Sequence, residues 1–145
     1  MEILEEDYKK IIDLKYNNPV YDIFKEAKVG IAGLGGLGSN IAVALARCGV
    51  GNLYLADFDR VELSNLNRQY YTVDDIGSLK TDAIKRILSK INPFCKVHTY
   101  PVRVTPDNAL TLFKDCPIVC EAFDVPEAKA MLVDTILSYS KDKYI

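Results

Sequence analysis

The sequence predicts a doubly wound α/β domain: a Rossmann-like parallel sheet with helices on both faces and a helical extension at its N-terminus. Three observations lead there. Short apolar runs alternate with helically spaced ones, and parallel strands need crossover connections that bury both faces of the sheet. Four glycines crowd the turn after the first apolar run, VGIAGLGGLGSN. The second apolar run ends in ADFD, where an acidic residue of such a sheet reaches the ribose of a nucleotide.

Residues 1–27 read as an N-terminal helical segment, and residues 28–145 as the Rossmann-like domain. In the first, Leu4, Tyr8, Ile11, Ile12 and Leu14 are roughly helically spaced, and Val20, Ile23 and Phe24 follow Asn17-Asn18-Pro19 as a second run. These stripes either pack on the core or form an arm that covers a partner or nucleotide. Lys28 to Ala32 is a strand, and alanine-rich Asn40 to Cys48 is a helix stopped by Gly49-Val50-Gly51. Asn52 to Ala56 is the next strand, followed by a polar loop from Asp57 to Gly77.

The run Leu79, Ala83, Ile84, Ile87, Leu88, Ile91 keeps helical spacing, with Ser78 as N-cap and Asn92-Pro93 as the stop. Cys95 to Val104 is extended, Asn108 to Lys114 a short helix and Pro117 to Ala122 a buried strand. Pro126 to Tyr139 is a helix with proline in its first turn. Lys143-Tyr144-Ile145 reads as the opening of another strand without continuation, so the chain is expected to be truncated at its C-terminus, a fragment or one domain of something longer.

Composition narrows the function. With 145 residues the chain suits one domain, burying roughly 60% or somewhat more of its unfolded surface. A net charge of -2 gives no electrostatic case for nucleic acid, and no segment is long and apolar enough to cross a bilayer. The acidic start MEILEEDYKK lacks the basic and apolar regions of a secretion signal, so a cytoplasmic location is the expectation. Of the four cysteines, Cys116 and Cys120 in CPIVC share strand parity and should face one way. Without a second Cys/His pair they read as buried, reduced thiols. His98, the only histidine, shares parity with Lys96 and Tyr100 on a solvent-facing strand side and is not assigned to catalysis.

The glycines divide the labour of a phosphate turn. Gly33 permits the tight turn, Gly35 lets backbone approach phosphate and Gly38 lets helix and strand pack closely, while Gly36 adds a further position without a side chain. The amides opening the next helix add about half a positive charge. Asp57, 19 positions after Gly38, is the ribose ligand. Asp59 fits two settings, a magnesium ligand or the cap of the following turn.

Up to this point NAD and ATP fit equally. SNLNRQ, at the carboxyl end of the second strand, separates them: Arg68 offers a planar fork for phosphate oxygens, and Asn65 and Gln69 can orient phosphate or its metal. Lys80 lies in the first turn of a helix, where a cation is disfavoured unless an anion is nearby, although it could also face solvent. A nicotinamide needs an apolar face, whereas this polar cluster suits a triphosphate.

GLGGLGSN, DFDRVELSNLNRQ and GSLKTDAIKRILSKINP resemble the ubiquitin-activating-type adenylyltransferases, most closely the ThiF and MoeB proteins. The resemblance spans Lys28 to about Tyr139 and includes PIVCEAFDVPEAK, whose Asp124 matches the family's aspartate after the fourth strand. Residues 1–27 are similar to the N-terminal helices of short ThiF proteins, which makes ThiF the nearer match. The resemblance implies that residues 28–145 are an ATP-binding adenylation domain. In such a domain the C-terminal glycine carboxylate of a small ubiquitin-like sulfur carrier, ThiS-like and linked to thiamine biosynthesis, attacks the α-phosphate of Mg-ATP and releases pyrophosphate. It also implies a homodimer, with Arg68 and Lys80 on the phosphates, Asn65 near the α-phosphate, Asp57 on the ribose and Asp124 on magnesium. Asp124 has a second reading as the N-cap of the helix at Pro126, and the two roles can coexist.

Departures from the family pattern are visible. No arginine precedes Arg47 to reach the γ-phosphate, a task Lys9, Lys10 or Lys15 could take over. The two CxxC pairs and a crossover-loop cysteine are absent from these residues. Two other classes therefore stand beside adenylation: a noncatalytic nucleotide-binding or scaffold domain, and an NAD-dependent oxidoreductase drawn from the glycine fingerprint alone.

Overall fold

The computed structural model describes all 145 residues. Lys28–Ala32 (β1), Asn52–Ala56 (β2), Lys96–Tyr100 (β3) and Ile118–Glu121 (β4) pair in parallel in the order β3-β2-β1-β4. The chain steps outward from β1 to β3 and then crosses to the other side of β1, so the direction reverses between β1 and β4. Ligands bind at the carboxyl ends of strands flanking such a reversal.

Strand parity sorts side chains to the two faces. Val29, Ile31, Leu53 and Leu55 join one core cluster under the helices Gly38–Cys48 (α3) and Lys80–Ile91 (α4). Tyr54, Ala56 and Val119 join the other, beneath Ala109–Leu112 (α5) and Pro126–Tyr139 (α6). Both faces are covered, as the alternation of strand and helix predicts.

The N-terminal segment forms two helices, Glu5–Tyr16 (α1) and Tyr21–Glu26 (α2). They lock to each other through Lys25–Glu5 (2.7 Å), a bond from the Tyr21 hydroxyl to Glu5 (3.0 Å) and one from the Tyr21 amide to Asp13 (2.8 Å). The pair docks at the amino edge of the sheet. The Tyr8 hydroxyl donates to Ala46 O (3.3 Å) near the end of α3, and the amides of Gly51 and Asn52, at the entry to β2, donate to Phe24 O and Ala27 O. Packing accounts for only part of the apolar stripes: Ile12 is buried and Tyr8, Val20 and Phe24 are half-buried, while Leu4, Ile11, Leu14 and Ile23 are exposed. An arm that covers nucleotide within its own chain is excluded, because the nucleotide edge lies across strands of five residues, roughly 16 Å away.

Several local expectations change. Leu79, not Ser78, precedes α4, and the Ser78 hydroxyl instead receives a bond from Arg86 (3.3 Å). β3 ends at Tyr100, and the chain reaches Val104 as an irregular segment. Cys116 lies ahead of β4 in the α5–α6 cluster, whereas Cys120 packs on the opposite one, so the two thiols do not share a face. Burial pushes the Cys116 thiol up to about 12 and raises that of Cys120, so both stay protonated at neutral pH. His98 is exposed and stacks on Tyr54 with ring centroids 4.3 Å apart. Tyr144 bridges in parallel to Ile118 beside β4, its amide donating to Pro117 O and its carbonyl accepting from Val119 N, each at 2.8 Å.

The polar loop is held by short 3-10 turns at Leu63–Asn65 and Val73–Asp75. Burial alone would raise the Asp75 carboxyl, but hydrogen bonds from the Thr72 amide and hydroxyl (both 2.9 Å) and from Arg86 (3.2 Å) outweigh it and hold it below the ordinary carboxylate value. A depressed carboxyl binds fewer protons in the folded chain. Its stabilisation is therefore present above the unfolded value, about 4, and is lost as pH falls through the folded one. Urea midpoints of the protein and of Asp75→Asn should differ at pH 6 and converge below about pH 4. A gap that does not change with pH would contradict this assignment.

Candidate functional site

β1 runs into a turn that only glycine enters without strain. Gly33 has φ +95°, and a Cβ there would lie 2.8 Å from Ala122 O beyond β4. Five residues later Gly38 opens α3 against the same turn, and a Cβ on it would sit 1.7 Å from Gly33 O. Gly35 and Gly36 differ: the nearest atoms to a Cβ on them are Gln69 Nε2 at 3.6 Å and Arg68 Cγ at 3.5 Å, and neither has positive φ. Nothing in the chain's own packing demands glycine at these two positions. They leave open a concave floor that side chains would fill.

Asp57, just past β2, fixes this floor from beneath. Its Oδ2 accepts the Leu34 amide (2.7 Å) and its Oδ1 the Asp59 amide (2.8 Å), while the Tyr71 hydroxyl donates to Leu34 O (2.7 Å). Each carboxylate oxygen keeps a second acceptor site for a hydroxyl.

The loop after β2 brings its cations to the same place. Arg68 is exposed, with Nη1 held from behind by Ser64 O (3.1 Å) and Asn67 Oδ1 (2.9 Å), while Nη2 and Nε have no partner in the chain. Lys80 is buried, with Nζ 3.5 Å from the half-exposed Asp59 carboxylate and its amide on Asp59 O (2.9 Å). Gln69 is buried beside Gly35, and its Oε1 has no hydrogen-bond partner at all. The atom it turns toward Gly35 is the donor Nε2, the end of the amide that can donate to a phosphate oxygen.

These residues line a cavity of about 750 Å³ at the carboxyl edge of β1, β2 and β4. That volume suits a nucleotide-sized ligand. All the sequence-derived site residues except Gly38 and Asn65 border it. Gly38 acts through backbone packing. Asn65 is buried, and its Oδ1 accepts the Glu62 amide (2.9 Å), so its visible task is to shape the loop that carries Arg68. Asp124 lines the cavity and is exposed. Val125, not Asp124, precedes α6, and the Asp124 side chain makes no capping bond, so its N-cap reading does not hold. No three His, Cys, Asp or Glu side chains gather into a protein-only metal cage.

The far wall was not legible in the sequence. It consists of Val102, Arg103 and Val104, leaving the sheet after β3, facing Phe123 and Val125; the Arg103 guanidinium lies 4.0 Å over the Phe58 ring. The rule that located Asp57 at a strand's carboxyl end would have found this segment had β3 been ended at Tyr100. Lys9, Lys10 and Lys15 are absent from the cavity. They belong to α1 at the opposite edge, with Lys9 paired to Asp22 and Lys10 3.8 Å from Asp7. None reaches the phosphate turn of its own chain.

A profile described as the ThiF family matches residues 11–143. The chain belongs to the ThiF family.

Among this family's curated members, the adenylyltransferase and sulfurtransferase UBA4 of Candida glabrata is 38% identical over 118 residues, covering 81% of this chain and 27% of the relative. Ubiquitin-like modifier-activating enzyme 5 of Drosophila willistoni is 41% identical over 110 residues, covering 72% and 27%. This chain thus spans about a quarter of the length of the curated relatives it matches. Among solved structures, E. coli tRNA N6-threonylcarbamoyladenosine dehydratase, TcdA, superposes with a TM-score of 0.83 in its ATP complex (32% identity, 90% of this chain and 54% of that one). The TM-score is 0.86 in its AMP complex (29% identity, 95% and 58%). E. coli MccB with ATP gives 0.70 at 35% identity, covering 83% and 36%.

Proposed function

We propose that this domain binds ATP with magnesium and transfers its adenylyl group to the C-terminal carboxylate of a small ubiquitin-like carrier protein, releasing pyrophosphate. The observation that carries the reading is the convergence of Arg68, buried Lys80 and the Gln69 Nε2 donor on a glycine floor, Gly35 and Gly36, that has no internal reason to lack side chains. The ATP and AMP complexes of similar structures and the names of the curated relatives support it. A ThiS-like sulfur carrier, and with it thiamine biosynthesis, is one member of this partner class. The proposed assembly is a homodimer and the proposed location the cytoplasm.

In this reading the amides of the Gly35–Gly36 floor and the start of α3 face phosphate oxygens. Arg68 presents Nη2 and Nε as its fork. Lys80, shielded from water, supplies a point charge that solvent screens little. Asp57 accepts a ribose hydroxyl while holding the turn. Asp124, exposed on the cavity wall and without a partner in the chain, would hold a magnesium ion as a carboxylate ligand. Magnesium, when bound, neutralises phosphate charge. The attacking group is a carboxylate, already nucleophilic at neutral pH, so no side-chain base is required, and the chain's residues act by positioning and charge stabilisation.

Isotope exchange between pyrophosphate and ATP tests this, with a ubiquitin-like carrier ending in glycine. Exchange should require both magnesium and the carrier's free carboxylate. ATP binding without exchange for any carrier would favour a noncatalytic nucleotide domain, and binding of NAD in place of ATP would overturn the reading.

A further inference from the structure

The first two side chains after Gly38 do not face the cavity, yet they tie its two halves together. Ser39 is fully buried; its hydroxyl donates to Gly35 O (2.6 Å) and accepts the Tyr70 amide (3.0 Å). Asn40, one residue on, donates through Nδ2 to Gly36 O (2.7 Å) and to Arg68 O (3.1 Å). Each therefore grips one carbonyl of the glycine floor and one backbone group flanking Gln69 in the loop that carries Arg68. Asp57 and Tyr71 also tie the turn to the loop, both through Leu34, but only Ser39 and Asn40 join the glycine carbonyls to the backbone on either side of Gln69.

We propose that Ser39 and Asn40 are positioning residues that set the distance from the glycine floor to Arg68 and Gln69, and so fix the width of the phosphate cleft. This rests on the ATP-binding reading above. The physical case is one of preorganisation. The Arg68 loop is polar and largely exposed, with no strand or long helix between Asp57 and Lys80 to stiffen it. Two adjacent side chains on a rigid helix end bond to carbonyls of one segment and backbone groups of the other, replacing loop freedom with a fixed geometry. The bonds to Gly35 O and Gly36 O also turn those carbonyls toward α3, away from a phosphate they would repel. Asn40 touches no reacting atom and acts through Arg68.

Calorimetric titration of ATP and of adenosine into the protein, Asn40→Ala and Ser39→Ala separates positioning from general loosening. Asn40→Ala should weaken ATP roughly tenfold, the worth of about one net hydrogen bond, and leave adenosine unchanged. In an Arg68→Ala background the same substitution should have no further effect on ATP, because the group it positions is gone. Equal weakening of ATP and adenosine, additive effects with Arg68→Ala, or no effect in either single variant while the parent binds ATP would each overturn this inference alone. A parent protein that binds no ATP would overturn the functional reading from which it starts. Asn40 is exposed, so its variant retains the fold and stays informative even where the buried Ser39→Ala does not.

Discussion

Arg68→Ala is expected to reduce carrier-dependent pyrophosphate exchange by about 10²- to 10³-fold, the usual loss when one preorganised charge donor is removed from a transition state. Arg68 is exposed and its side-chain bonds within the chain go only to Ser64 O and Asn67, so its removal should leave the unfolding midpoint within experimental error. Lys80→Met should give a loss of the same order for a different reason. The Lys80 stem is buried and methionine replaces most of its volume, while Asp59, the partner left behind, is half exposed and hydrated by water. Activity and stability therefore separate in both variants. Exchange that survives either change would remove triphosphate binding from this cleft. A large fall in melting temperature with little loss of exchange would make the two cations structural.

What the sequence revealed and what it concealed follows from how far apart the relevant residues lie. β1, β2 and α6 begin and end where the sequence places them because apolar runs meet strong punctuation at both ends: glycine after Ala32, Asp57 after Ala56, Pro126 at the start of α6. The alternation that predicts β3 out to Val104 continues through Val102 and Val104, whose side chains line the cavity, Val104 buried in the core and Val102 exposed, without belonging to the sheet. CPIVC misled because Pro117 ends the pleat between the two cysteines, so parity does not carry across it. Asn65 fits two tasks chemically, phosphate ligand and loop cap, and only tertiary placement separates them. The partners of Ser39 and Asn40 lie 31 and 28 residues away, and no local pattern encodes such pairs. The charged half of the site was legible because DFDRVELSNLNRQ packs it into one loop, whereas its far wall required the crossover to be folded first.

Gly38→Ala should remove at least about 3 kcal/mol of stability, the upper end for forced overpacking and a large fraction of the roughly 5–15 kcal/mol that holds a domain together. Alanine is the better helix former, so local propensity predicts the opposite sign. Geometry decides against propensity. The added Cβ would stand 1.7 Å from Gly33 O and 2.7 Å from Gly33 C, both backbone atoms of the turn, with Ala122 Cβ at 3.3 Å behind them. No rotamer change relieves such a contact, so α3 must lift away from β1 and carry Ser39, Asn40 and the phosphate floor with it. Gly35→Ala and Gly36→Ala are the controls, since their new methyl groups would meet nothing closer than 3.5 Å and face the cavity. These two should unfold like the parent protein and yet lose ATP, because the methyl occupies the space a phosphate needs. Thermal unfolding alongside ATP titration reads all three variants. A Gly38→Ala chain that melts with the parent would show that helix and turn are not held as close as the packing requires, and Gly35→Ala or Gly36→Ala variants with full ATP affinity would place the phosphates elsewhere.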